Sequence, residues 1–125
     1  MMADRRFRRQ SRLVDSSAYS RVFKKAERSR DKMFTVLYKE NGEPEARLGL
    51  AISKKNCRLA VGRNRLKRVV RESFRHHHAD LAGLDVVVLN QPAAMQASNK
   101  VLFDSLHKHW QRCRSGRSGQ SETNA

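Results

Sequence analysis

Leu84-Asp85-Val86-Val87-Val88-Leu89-Asn90 is almost wholly apolar, rich in β-branched residues and stopped by Pro92. A strand with one wet face alternates polar and apolar residues, whereas a strand covered on both faces has no reason to. The run therefore predicts a central strand over 84–90. A chain of 125 residues has room for one modest core to cover it, so a single domain is expected.

Upstream of that strand, residues 60–75 carry Arg63, Arg65, Lys67, Arg68, Arg71 and Arg75 interleaved with Leu66, Val69, Val70, Ser73 and Phe74. Advancing about 100° per residue from Arg63, the cations sweep an arc from about 0° to 200° and the apolar residues fill most of the remainder. The pattern predicts a helix, ending near His77, that docks on a core by one side and shows a row of positive charge on the other. Only Glu72 offers acidic relief, so pairing within the helix cannot neutralise the row. Fixed positive charge of this density suits phosphate.

Met33-Phe34-Thr35-Val36-Leu37-Tyr38-Lys39 and Arg47-Leu48-Gly49-Leu50-Ala51-Ile52-Ser53 predict two antiparallel strands, joined by a loop of about six to eight residues through Asn41-Gly42 and Pro44. The second places Leu48, Leu50 and Ile52 on one face and Gly49, Ala51 and Ser53 on the other, where small side chains leave access for a ligand or a packed helix. Lys54 and Lys55 follow, and a turn through Asn56 and Cys57 leads into the basic helix. Strand, helix, strand in that order predicts a parallel pair with a crossover.

Asp15-Ser16-Ser17 supplies an N-cap, and Tyr19, Val22, Phe23 and Ala26 recur at helical spacing, which predicts a helix over about 16–26. Tyr19 and Phe23 either pack into the core or, beside Arg21, Lys24 and Lys25, offer a stacking surface for unpaired bases. A final helix is predicted to start near Ser98 or Asn99. Val101, Leu102, Leu106, Trp110 and Cys113 form its stripe, with Trp110 in the core and His107, Lys108, His109, Arg112 and Arg114 mostly outside.

The termini have the composition of solvated segments. Residues 1–12 carry Arg5, Arg6, Arg8, Arg9 and Arg12 against Asp4, which predicts a basic arm that orders on a polyanion. Residues 13–113 form the domain, and 114–125 a disordered tail. The formal net charge of +15, from 27 Lys and Arg against 12 Asp and Glu, makes nucleic acid the first candidate partner. A membrane surface is the second candidate that the charge allows and is not the partner expected, and no apolar run approaches the length of a span. Cys57 and Cys113 lack partners at metal-ligand spacing and read as reduced thiols of a cytoplasmic protein. His76-His77-His78 cannot converge on one metal from consecutive helical positions, so the expectation is added positive character at a helix C-terminus and no bound metal. No nucleophile with a base, paired carboxylates or phosphate-cradling glycine loop stands out, so no catalytic side chain is predicted.

The segment Arg63-Asn64-Arg65-Leu66-Lys67-Arg68-Val69-Val70-Arg71-Glu72-Ser73-Phe74-Arg75, preceded by Lys54-Lys55, resembles the signature of the bacterial ribonuclease P protein subunit. The similarity extends back through residues 47–56, Arg12-Leu13, Tyr19 and Val22-Phe23-Lys24, and forward through Gly83-Leu84-Asp85-Val86-Val87-Val88. The resemblance implies an α+β sandwich like the second domain of ribosomal protein S5, in the order αβββαβα, with a left-handed crossover containing the basic helix. Only three strands are evident from the pattern, which leaves the fourth unplaced.

The resemblance further implies an endoribonuclease whose Mg²⁺-dependent catalytic site lies in an RNA subunit and which removes the 5′ leader of precursor tRNA. Arg63, Asn64, Arg65, Lys67, Arg68, Arg71 and Arg75 would then contact the catalytic RNA. Tyr19, Phe23, Lys54, Lys55 and Arg12 would contact the leader. Leu37 stands where many members carry a strand aromatic, with Tyr38 on the opposite face. A general RNA-binding or ribosome-associated folding protein on the same scaffold is the alternative the charge equally supports. A major-groove DNA regulator fits less well, because few Asn or Gln accompany the cations to read base edges.

Overall fold

In the computed structural model the described residues are 26–115. They form four strands and two helices in the order β1 (Glu27–Arg30), β2 (Phe34–Glu40), β3 (Arg47–Ala51), α1 (Ala60–His76), β4 (Leu84–Asn90) and α2 (Asn99–Ser115). Two short 3₁₀ turns, Ala79–Leu81 and Pro92–Gln96, flank β4. The helix expected over 16–26 lies outside the described residues except for Ala26, which precedes β1 without regular structure.

The sheet order is β1-β2-β4-β3, and this corrects the expected hairpin between β2 and β3. The two strands run in opposite senses, but β4 lies between them, antiparallel to β2 and parallel to β3. The reason is burial: β4 offers apolar residues to both faces, and the centre of the sheet is the one place where both can be covered. Its side chains from Leu84 to Val88 are all buried. The loop at 41–46 is the expected turn, with Gly42 at a φ of 71° and Asn41 Nδ2 donating to the Glu45 carbonyl and to Asp85 Oδ1.

The fourth strand is β1, Glu-Arg-Ser-Arg. It is an edge strand paired to β2, short and charged, as edges that must not pair with another chain commonly are. That polarity left no apolar alternation to detect. Its one buried side chain, Ser29, is 4% exposed.

Both helices pack on one face of the sheet. Leu66, Val69, Val70 and Phe74 from α1 meet Leu102, Leu106, Trp110 and Cys113 from α2 over Phe34, Val36, Leu48, Val86 and Val88. The Trp110 indole N–H donates to Ser73 Oγ at 2.8 Å, and the ring meets Phe74 edge-on with centroids 6.1 Å apart. The opposite face carries Leu37 and Val87, both buried, with Ala51 and Leu89 beside them. Leu37 and Tyr38 therefore lie on opposite faces, Tyr38 joining the core beneath the helices.

On α2 the stripe is rotated slightly from expectation. Val101 is 46% exposed, while His109 is fully buried. A polar site receives that imidazole: Nδ1 lies 2.7 Å from Ser29 Oγ, which also accepts from Arg112 Nη1. Nε2 lies 3.2 Å from Asp31 Oδ1, off the line a hydrogen bond needs, so that contact is electrostatic. Asp31 in turn accepts the amides of Met33 and Phe34 and the Ser105 hydroxyl. The cluster ties the β1–β2 turn to α2. The helix also runs to Ser115, slightly past the expected domain limit.

Burial holds the His109 imidazole below the ordinary histidine range, against the opposing attraction of Asp31 and with the help of Arg112. In the unfolded chain this histidine titrates near about pH 6.5. Below that, the unfolded state takes up a proton that the folded state resists until its own lower pKa is reached, so stability falls as the pH drops through this window. The urea midpoint is expected to decrease from about pH 7.5 to about pH 5.5. A midpoint that holds or rises would contradict the buried neutral imidazole. Cys57 and Cys113 are free and buried, with burial pushing the Cys113 thiol up to about 12.

Candidate nucleic-acid interface

Helix α1 keeps the division foreseen from its spacing. Leu66, Val69, Val70, Ser73 and Phe74 are buried, while Asn64, Arg68 and Arg71 are exposed along the opposite side, with Lys67 and Arg75 partly exposed at its margins. Glu72, the acid within the stretch, is engaged by Arg75 at 2.6 Å and His76 at 3.1 Å. A hydrogen bond from His76, together with the charge of Arg75, holds its carboxyl below the usual range against a small effect of burial. Glu72 is thus spent on Arg75 and His76 and not on Arg68 or Arg71.

Arg63 and Arg65 have a second task that spacing could not show. Arg63 Nη1 donates to the carbonyls of Cys57 at 3.0 Å and Arg58 at 2.8 Å, folding back over the turn that enters the helix. Arg65 Nη1 donates to Asn99 Oδ1 at 2.8 Å, and Nη2 to the Met95 carbonyl at 3.1 Å. Arg65 thereby joins α1 to the segment after β4 and to the start of α2. Both remain partly exposed, so either can add to the local field while holding the scaffold.

The turn that carries Lys54 and Lys55, both exposed, is pinned by Asn90, which the sequence reading passed over. Asn90 Oδ1 accepts the Ser53 amide at 2.7 Å, Nδ2 donates to the Ser53 carbonyl at 3.3 Å, and the Asn90 carbonyl accepts Asn56 Nδ2 at 2.8 Å. A side-chain amide here continues the β3–β4 pairing beyond the last backbone pair. The signal was a polar residue ending an apolar strand, which looks like any strand terminus until its partner is known.

Gly62 closes the arrangement, since a Cβ there would fall 2.9 Å from Cys57 Sγ. The N-terminus of α1 has no side-chain cap and no acid in its first turn. Its positive dipole end therefore adds to the cationic surface. Arg12, Tyr19 and Phe23 lie outside the described residues.

This surface can bind a phosphate backbone. It contains no side-chain arrangement for bond cleavage among the described residues, and none of their groupings offers three or more metal-ligating side chains. No helix among them is long and apolar enough to cross a membrane.

The sequence matches the family Ribonuclease P over residues 7–114. The chain belongs to the ribonuclease P protein family. It is 46% identical over 112 residues to the ribonuclease P protein component of Thioalkalivibrio sulfidiphilus, covering 90% of this chain and 93% of that one. With the component from Vibrio cholerae it shares 43% over 106 residues, covering 85% and 90%. The fold is similar to the RNase P protein of Thermotoga maritima, with a TM-score of 0.73 at 28% identity over 81% of this chain and 96% of that one. It is equally similar to that of Staphylococcus aureus, with a TM-score of 0.73 at 28% identity over 78% and 90%. The family membership accounts for the mixed α+β architecture.

Proposed function

We propose that the chain is the protein subunit of bacterial ribonuclease P, acting in the cytoplasm by binding the catalytic RNA and the 5′ leader of precursor tRNA. The observation that carries this reading is the exposed row of Asn64, Arg68 and Arg71 on α1, whose two arginines pair with no acid among the described residues, in a chain of this family. Lys67 and Arg75 extend the row, and Arg63 and Arg65 hold it in place. Neutralising phosphate charge lets RNA segments approach each other, and binding the leader raises the substrate's local concentration at the RNA's reactive centre.

In this reading Mg²⁺ would be held by the RNA, where it could supply an activated water and stabilise developing charge on a leaving oxygen. Three of the described acids are already engaged by the protein itself. Asp85 is engaged by Arg47 in a two-pronged pair at 2.8 and 2.9 Å, Asp31 by two amides and a hydroxyl, and Glu72 by Arg75 and His76. The protein's part is to bind and orient. Lys54 and Lys55 are assigned to the leader, with Arg12, Tyr19 and Phe23 as further contacts on the strength of the family resemblance.

Reconstitution tests the proposal. Adding the chain to its cognate RNA should lower the Mg²⁺ needed for leader removal and tighten binding of precursors that carry a leader. No change in either with correctly folded RNA would overturn it. Excess unrelated structured RNA should compete weakly; if it displaced the chain as well as the cognate RNA did, the general RNA-binding alternative would be the better account.

A further inference from the structure

We propose that His77 and His107 form a transition-metal site that clips the C-terminal end of α1 to α2. His77 Nε2 and His107 Nδ1 face each other at 3.2 Å across the two helices, with ring centroids 5.1 Å apart. Two nitrogens bound to one tetrahedral Zn²⁺ at about 2.0–2.1 Å are separated by about 3.3 Å, so the spacing already matches a chelate and small ring rotations would converge the lone pairs.

The environment prepares His77 for that role. Its Nδ1 lies 2.9 Å from the Ser73 carbonyl, to which it donates, so the proton resides on Nδ1 and Nε2 presents its lone pair to His107 Nδ1. A ring oriented through its second nitrogen by a backbone carbonyl is the usual arrangement of a metal-bound histidine. His77 is also the residue that caps α1 at its C-terminal end, where the helix dipole favours a cation. His107 is exposed and becomes a ligand through Nδ1 by carrying its proton on Nε2 instead.

Imidazole nitrogens of this kind suit Zn²⁺, Cu²⁺ or Ni²⁺ and not Mg²⁺, which separates the site from the chemistry of the RNA. Two protein ligands leave the remaining coordination positions to water. His76 is engaged by Glu72 on another side of the helix, so the pair is built from residues 30 apart in sequence and not from the run of consecutive histidines.

The test is calorimetric titration of the untagged full chain, without RNA, using Zn²⁺ in a non-coordinating buffer. Paired with it is a long-range ¹H–¹⁵N spectrum that resolves the imidazole nitrogens. One Zn²⁺ per chain is expected, with shifts at His77 Nε2 and His107 Nδ1, a raised Tm, and affinity reduced by about tenfold or more in His107→Gln. His76→Gln should bind as the wild type does. Absence of binding, or binding that His107→Gln leaves unchanged, would overturn the proposal and leave the contact as a hydrogen bond between two imidazoles.

Discussion

The affinity of the chain for its RNA should fall by about 10³ to 10⁵ between about 50 and 200 mM monovalent salt, the loss expected when some 6–10 phosphates are neutralised by Lys and Arg. The basis is the exposed row on α1 together with Lys54 and Lys55 on the adjoining turn. Each phosphate contact contributes about one unit to the slope of log affinity against log salt, so Arg68→Ala and Arg71→Ala together should flatten it by about two. Both side chains are exposed, and neither substitution should shift the Tm. Arg65→Ala should behave differently, weakening RNA binding and lowering the Tm together, because its guanidinium holds Asn99 and the Met95 carbonyl. Filter binding across a salt series, with thermal melts of the free variants, reads both effects. A flat salt profile would count against a phosphate-led interface, and an unchanged Tm in Arg65→Ala would count against its bridging role.

Trp110→Ala should be the most damaging single substitution in the core, costing about 3–5 kcal/mol from a total stability of about 5–15 kcal/mol. Trp110 is 2% exposed, and its removal would open a large cavity between α1 and α2 while taking the indole donor from Ser73 Oγ. Trp110→Phe keeps most of the volume and loses the donor, so it should cost less, about 1–3 kcal/mol. Urea denaturation measures the two directly. Equal losses would mean that the hydrogen bond, and not the packing, dominates at this site. Because α1 carries the cationic row on its other side, a loosened α1–α2 contact should also weaken RNA binding in proportion to the population unfolded.

The division of α1 into a buried stripe and a charged row was legible before any coordinates, because helical periodicity is a local property and the five buried residues are those its spacing selects. The same holds for β4, whose apolar run matches the observed strand residue for residue. A turn before α1 was legible at Asn56 and Cys57, since turn chemistry depends on neighbours in the chain, whereas the structure places it at 54–56 with Lys54 and Lys55 exposed on it. By contrast, β1 was invisible: an edge strand of Glu, Arg, Ser and Arg owes its conformation to the backbone of β2 and not to its own side chains.

Partnerships between distant residues were decided by the tertiary structure alone. A strand's two neighbours are chosen by which arrangement covers both of its faces, a sum over the whole core, so β4 displaced the hairpin that short-range turn signals favoured. His109 lay on the polar side of α2 by composition and is buried because Ser29 and Asp31 arrive from the far side of the sequence to receive it. Arg63 and Arg65 counted as two more cations until the carbonyls they hold were in place. Composition and period depend on what each residue is and on its near neighbours, whereas hydrogen-bond partners 30 or more residues apart exist only once the chain has closed on itself.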